Sequence, residues 1–267
     1  MGAPCLSLEG RVAIVTGSRR GMGRAIALRF AEAGADVAVS DYVAGSELDG
    51  VVEEVRKLGR RSFATQVDVT SKTAVNNWVQ KVEAEFGGID ILANVAGILR
   101  VSKLVDLSEE DWDKVLDTNL KGTYLTCQAV AKGMMKRKKG CIINIASTDA
   151  FNASPSQTAY NCSKAGVRML TNILAYELGR YNIRVNAIAP GWIRTPMTDY
   201  LEAESFMETA IADVALGRIG QPIDVANVAL FLASDLASYV SGATWRVDGG
   251  FSQPSLSSWP ESAEITT

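Results

Sequence analysis

Histidine is absent from the 267 residues of this chain. No Ser-His-Asp triad, Cys-His pair or His-ligated metal site can therefore be built from it. Proton transfer near neutral pH must use a perturbed Tyr, Lys, Cys or carboxylate. Cysteine is also scarce. Cys5, Cys127, Cys141 and Cys162 have no metal-like spacing, so they read as free thiols of a cytoplasmic protein and no metal is expected. A dominant charge is missing as well. The 27 basic and 30 acidic residues leave a net charge of −3, which gives no footprint for nucleic acid or a membrane face. The one basic run, Lys136 to Lys139, reads as a solvated helix end. Long apolar runs are lacking too. Met1 to Gly10 has no basic start or apolar centre, and Asp235 interrupts Val225 to Ala243, so neither a secretion signal nor a membrane span is expected.

What is present is ordinary globular composition, with 47% hydrophobic and 21% charged residues, and a regular alternation of short β-rich runs with longer amphipathic ones. Strands are expected at Arg11–Thr16, Asp36–Ser40, Arg61–Val67, Ile89–Asn94, Cys141–Ala146, Arg184–Ala189 and Thr244–Val247. Helices are expected at Gly21–Gly34, Val51–Leu58, Thr73–Phe86, Glu109–Lys138 (as two pieces), Thr158–Arg180 and Ile223–Ala233. Seven strands separated by helices predict one α/β domain, a doubly wound parallel sheet with helices on both faces. The domain covers residues 1–251. Residues 252–267, rich in Ser and Pro and without period, read as a tail.

The first strand runs into Thr16-Gly17-Ser18-Arg19-Arg20-Gly21-Met22-Gly23 and then a helix. Glycines at such a turn let the backbone approach a pyrophosphate, and the helix N-terminus offers free N–H groups and a partial positive charge. Asp41 ends the second strand eighteen residues past Gly23, where a carboxylate accepts hydrogen bonds from an adenosine ribose. The same carboxylate repels a 2′-phosphate, which favours NAD. Arg19 and Arg20 favour the phosphate and keep NADP open. Asp68, with Val69 after it, either accepts from the adenine amino group or caps the next helix. Asn94-Val95-Ala96-Gly97 ends the fourth strand with small residues that let the chain pass close to a cofactor.

Tyr160 and Lys164 are i and i+4 on one helical face. A free phenol has a pKa near 10, and lowering it by ~2–3 units needs about 3–4 kcal/mol. One ammonium at ~4 Å in an effective dielectric of ~20 supplies about 4 kcal/mol, so the pair suffices as an acid/base device. Ser147 follows the fifth strand, thirteen residues before Tyr160, and its hydroxyl is placed to hold a substrate oxygen. Asn119 stands in mid-helix, where Asn is unfavourable and invites a reason. Pro190-Gly191-Trp192-Ile193-Arg194-Thr195-Pro196 follows the sixth strand at the same sheet edge, where ligands bind in such folds. Asp149, Trp192 and Arg100 are candidates for contact with substrate.

These motifs, in this order over Gly10 to Gly250, resemble the short-chain dehydrogenase/reductase family. The glycine turn is Thr16 to Gly23. The family's NAG-type segment is Asn94 to Gly97, with Val95 in place of its usual second Asn. Asn119, Ser147, Tyr160 and Lys164 match the family's active-site set, and Pro190-Gly191 its PG segment. The resemblance implies a Rossmann-type fold that moves a hydride between NAD(H) and a secondary alcohol or ketone. It makes Tyr160 the general acid/base. Lys164 lowers its pKa and binds the nicotinamide ribose, Ser147 orients the substrate oxygen, and Asn119 holds a water. Gly17, Arg19, Arg20, Gly21, Met22, Gly23, Asp41, Asp68, Val69, Asn94, Ala96, Gly97, Pro190, Gly191, Ile193 and Thr195 fall at the cofactor, Thr195 at its carboxamide. It also implies a homotetramer built through the two long helices and the last strand.

Residues Thr195 to Gly217 carry Met197, Tyr200, Leu201, Phe206 and Met207 among acids and read as a substrate lid. Two rival readings remain. One is an NADPH-dependent 3-oxoacyl-thioester reductase. The other is a dinucleotide-binding regulator or scaffold without turnover, against which the complete catalytic set argues.

Overall fold

The computed structural model describes residues 6–198 and 204–252, and of 204–207 the backbone alone. Tyr200, Leu201, the side chains of Phe206 and Met207, Cys5 and the tail from residue 253, with Trp259, lie outside the described residues.

The seven expected strands form one parallel sheet. They are β1 (Val12–Thr16), β2 (Asp36–Asp41), β3 (Ser62–Gln66), β4 (Ile91–Asn94), β5 (Gly140–Ile145), β6 (Ile183–Pro190) and β7 (Thr244–Val247). Their order is β3-β2-β1-β4-β5-β6-β7. Period-two alternation sends Ala13 and Val15 to one face, where Phe30, Val55 and Leu230 pack, and Val12 and Ile14 to the other, with Trp78, Val130 and Met134. Both faces are covered, which is why the strands read as unbroken apolar runs. From β1 the chain winds outward to β2 and β3, then crosses back to β4. The C-terminal ends of β1 and β4 therefore bound a crevice at a topological switch point.

On one face lie α1 (Gly21–Glu32), α2 (Ser46–Lys57) and, later in the chain, Pro222–Ala233; on the other lie α3 (Lys72–Phe86) and the two long helical runs. The second helix starts at Ser46, five residues before the expected Val51. Glu47 and Asp49 in its first turn suit the positive end of the helix dipole, and this turn has too few apolar residues to show a period.

The run expected as two helices from Glu109 to Lys138 is α4 (Glu109–Leu116), a wider π-type turn over Asp117–Lys121, and α5 (Gly122–Arg137). Ser108 caps α4 by accepting from the Asp111 N–H. The π turn holds Asn119, and such turns gather at functional sites. Next come α6 (Thr158–Gly179), α7 (Glu204–Ala212) within the expected lid, and α8 (Pro222–Ala233), which opens with a reciprocal Gln221–Asp224 capping box.

Candidate active site

The nucleotide end is built on close approach of backbones. The Thr16 hydroxyl accepts from the Val95 and Ala96 N–H groups at 3.0 and 3.1 Å, tying the ends of β1 and β4 together. Gly17 has φ +63°, and a Cβ there would stand 2.7 Å from the Ala96 Cα. At Gly23 it would stand 2.0 Å from the Gly17 carbonyl oxygen. No side chain larger than hydrogen fits either place. The first turn of α1 has no capping side chain and no acid. Its N–H groups and the helix dipole are thus left for an anion.

These elements wall a cleft of about 670 Å³. The turn from Gly17 to Gly23 forms its floor. Asp41, Asp68 and Val69 line one end, and Ala96, Gly97 and Thr195 lie toward the other. Its size suits a dinucleotide. Asp41 accepts from the Arg19 and Val43 N–H groups at 3.3 and 3.1 Å, and the Arg19 guanidinium lies 3.6 Å from it. Arg19 also pairs with Glu47, so it is held in place rather than swung to solvent. Arg20 is exposed and lines the cleft. Asp68 accepts from the Thr70 N–H and hydroxyl at 2.9 and 2.7 Å, a tight local turn, while Ser71 caps α3. Arg100 reaches the cleft but lies 3.3 Å from Asp111.

The chemical end adjoins the cleft at Gly97. A Cβ placed there would lie 3.2 Å from Asn119 Oδ1 and 3.5 Å from Lys164 Nζ. Asn119 accepts from the Ile98 N–H at 2.8 Å, and its amide donates to the Ile98 carbonyl and to Ser163 Oγ at 2.9 and 3.0 Å. Ser163 donates in turn to the Tyr160 carbonyl at 2.7 Å. Lys164 Nζ donates to the Ile145 carbonyl at 2.8 Å and lies 5.6 Å from the centroid of the Tyr160 ring. Burial lowers the pKa of Lys164 to about 8. Tyr160 itself is half-buried. Ser147 is buried, and its oxygen accepts from the Asp149 N–H at 3.1 Å. Asp149 accepts from Ser154 at 2.6 Å, and burial raises its carboxyl pKa.

Asn119, Ser163 and the backbone of Tyr160 are thus joined, with Lys164 beside them and Ser147 at the end of the neighbouring strand. Some expected cofactor residues are placed otherwise. Asn94 does not line the cleft. It is buried, donating to Asn144 at 2.9 Å and to the Cys127 sulfur, and accepting from Thr126 at 2.6 Å. Its side chain locks β4 to β5 and α5, because a strand-end residue alternates inward. Pro190, Gly191 and Ile193, like Tyr160 and Lys164, are not among the residues that line the cleft, and Ile193 packs into the core. Trp192, expected at the substrate, meets the Phe251 ring. Thr16 and Ser163 are the site residues that sequence reasoning missed. Thr16 opens the glycine turn, and Ser163 lies between Tyr160 and Lys164, at i+3 from Tyr160, which was the readable signal.

A parallel sheet with a glycine-floored dinucleotide cleft, with a helix bearing Tyr and Lys beside its Gly97 end, defines a nicotinamide-linked oxidoreductase. A family model described as enoyl-(acyl carrier protein) reductase matches residues 17–252. The chain belongs to the short-chain dehydrogenase/reductase family. It is 44% identical over 245 residues to a 3-oxoacyl-[acyl-carrier-protein] reductase, FabG, of Thermotoga maritima, covering 92% of this chain and 99% of that one. It is also 44% identical over 245 residues to the (2S)-[(R)-hydroxy(phenyl)methyl]succinyl-CoA dehydrogenase subunit BbsD of Thauera aromatica, covering 92% and 98%. The crystal structure of a gluconate 5-dehydrogenase from Burkholderia cenocepacia, in complex with NADP and tartrate, superposes with TM-score 0.89 at 35% identity, covering 93% of this chain and 98% of that one.

Proposed function

We propose that this chain interconverts a 3-oxoacyl thioester and its 3-hydroxyacyl counterpart. The observation that carries the reaction type is the buried Lys164 ammonium one helical turn from Tyr160, beside Gly97 at the end of the cleft. The thioester is supported by the two relatives above, both named for acyl-thioester substrates and matched over nearly their whole lengths. This is narrower than the general secondary alcohol or ketone expected from the sequence.

The Gly17–Gly23 turn, Asp41 and Lys164 would hold a nicotinamide dinucleotide, which would supply the hydride in reduction and accept it in oxidation. The Tyr160 hydroxyl gives its proton to the carbonyl oxygen in reduction and takes it back in oxidation. Lys164 favours the phenolate, and with a pKa of about 8 it is mostly charged at pH 7. The Ser147 oxygen already accepts from Asp149, so its own proton is free to hold the substrate oxygen. The Asn119 amide is used up by Ile98 and Ser163. It acts as a clamp that positions Tyr160 and the loop after β4.

Asp41 supports NAD(H), since it faces the cleft and Arg19 is engaged by Asp41 and Glu47. The NADP-bound neighbour favours the phosphorylated form. That neighbour also favours a second substrate reading, a polyhydroxy acid. In the cell we place the protein in the cytoplasm, as a homotetramer.

The test is an assay of acetoacetyl thioester, gluconate and simple secondary alcohols with NAD(H) and NADP(H), read at the absorbance of the reduced nicotinamide. Thioester reduction is expected to show the highest kcat/KM, NADH the better cofactor, and Tyr160→Phe a loss of about a thousandfold in a folded protein. Faster gluconate oxidation overturns the substrate. Dinucleotide binding with no turnover of any carbonyl or alcohol overturns the enzyme.

A further inference from the structure

β6 carries the chain out of the sheet beside Ser147. Ile188 pairs with Ile145, and its carbonyl accepts from the Ala146 N–H at 2.7 Å. Continuing that register, Ala146 stands opposite Ala189 and Ser147 opposite Pro190, the last residue of β6, at the ~4.8 Å spacing of neighbouring strands. Trp192 follows two residues past the end of β6, half-buried and outside the dinucleotide cleft. Its backbone leaves the sheet at the strand end beside Ser147.

The indole meets the ring of Phe251 edge-on, with centroids 5.8 Å apart and planes at 66°, a favourable geometry for two aromatics. Phe251 belongs to the turn that follows β7. The Asp248 carboxylate holds that turn, accepting from the Gly250 N–H, the Ser252 N–H and the Ser252 hydroxyl at 3.0, 3.0 and 2.5 Å. On one side the turn is pressed against the β6 exit. The Gly191 N–H donates to the Val247 carbonyl at 3.0 Å, and a Cβ on Gly191 would stand 2.7 Å from the Asp248 Cβ. On the other side it meets the segment that follows α7. The Leu216 N–H donates to the Gly249 carbonyl at 3.0 Å, and Cβ atoms on Gly249 and Gly250 would stand 2.7 and 2.8 Å from Val214 and Ala215. The turn is a wedge between the Trp192 loop and the segment after α7, and Phe251 is its contact with the indole.

We propose that Phe251 is a positioning residue that fixes Trp192 as an aromatic wall for the apolar part of the substrate. The proposal rests on the oxidoreductase reading above and adds the substrate class: acyl groups with a bulky apolar or aryl substituent are preferred over short ones. An indole held at one angle offers a flat face to such a group, whereas a free indole loses binding to rotamer entropy.

The test compares wild type with Phe251→Ala and Phe251→Tyr on two substrates, a phenyl-substituted 3-oxoacyl thioester and acetoacetyl thioester. For Phe251→Ala the KM of the phenyl substrate is expected to rise about tenfold with kcat within about twofold, the pattern of lost uniform binding. The KM of acetoacetyl thioester is expected to move by less than about twofold, and Phe251→Tyr to restore both. Equal losses on the two substrates, or a fall in kcat alone, overturn the proposal. If Phe251→Ala does not fold, Phe251→Leu removes the ring edge with less loss of volume and carries the same comparison. A second readout does not need turnover. Dinucleotide-loaded protein is titrated with a phenyl ketone, and the fluorescence difference between wild type and Trp192→Phe isolates the indole. Quenching that weakens in Phe251→Ala supports the wall; no quenching in wild type overturns it. Absence of turnover with all carbonyls defeats the proposed reaction while this binding arm still reports on the wall.

Discussion

Lys164 is the residue at which stability and chemistry pull apart. The residue is 4% exposed, and burial lowers its pKa from an ordinary 10.5 to about 8. Between those two values the unfolded chain binds the proton and the folded chain does not. The part of the folding stability that Lys164 controls is therefore greatest above pH ~10.5 and is lost as pH falls through ~8. At pH 7 the charged side chain costs of order 3 kcal/mol. Lys164→Met is expected to leave the melting temperature unchanged or raised while kcat/KM falls by at least about a hundredfold. Calorimetry and steady-state kinetics on one preparation check both halves. A melting temperature well below wild type would mean that the Ile145 carbonyl contact outweighs the desolvation. Residues of this kind are legible as a spacing, but their burial is not. Tyr160 and Lys164 share a face in any helix, and only the fold places β5 beside that face.

At the scale of the element, the β1–α1 turn shows how backbone contact replaces side chains. Gly23 has the Gly17 carbonyl where a methyl group would go. Gly23→Ala is expected to destabilise by about 1–3 kcal/mol and to weaken dinucleotide binding more than tenfold, measured by thermal melts with and without cofactor. Wild-type binding in the variant would show that the turn does not form the floor of the cleft. The π turn at Asp117–Lys121 is the other element with a function. It accommodates Asn119, whose side chain then reaches Ile98 and Ser163 together. The mid-helix Asn was a signal in the sequence; the wider turn was not, because one extra residue per turn leaves the apolar period almost unchanged.

Across the whole molecule, the outer face of α6 is unusual for a surface. Met169, Ile173 and Tyr176 are 58%, 47% and 91% exposed at helical spacing, with Tyr124 of α5 exposed as well. An apolar stripe of this kind on two long helices is the physical basis for the proposed tetramer. Sedimentation is expected to give a tetramer, and Ile173→Glu to shift it to smaller species; a monomeric wild type would remove the stripe's explanation.

The residues by themselves determined the sheet and the reaction type. Buried strands must be apolar on both faces, a glycine turn must precede the first helix, and without histidine a phenol–ammonium pair is the natural proton relay. Tertiary structure decided what depends on distant contacts. It turned Asn94 inward toward Asn144, took Ile193 into the core, made Thr16 and Ser163 part of the site, and set Phe251 against Trp192. Spacing along a chain reports which face a side chain shares with its near neighbours. Which remote element that face meets is a property of packing, and packing exists only once the sheet has closed its order.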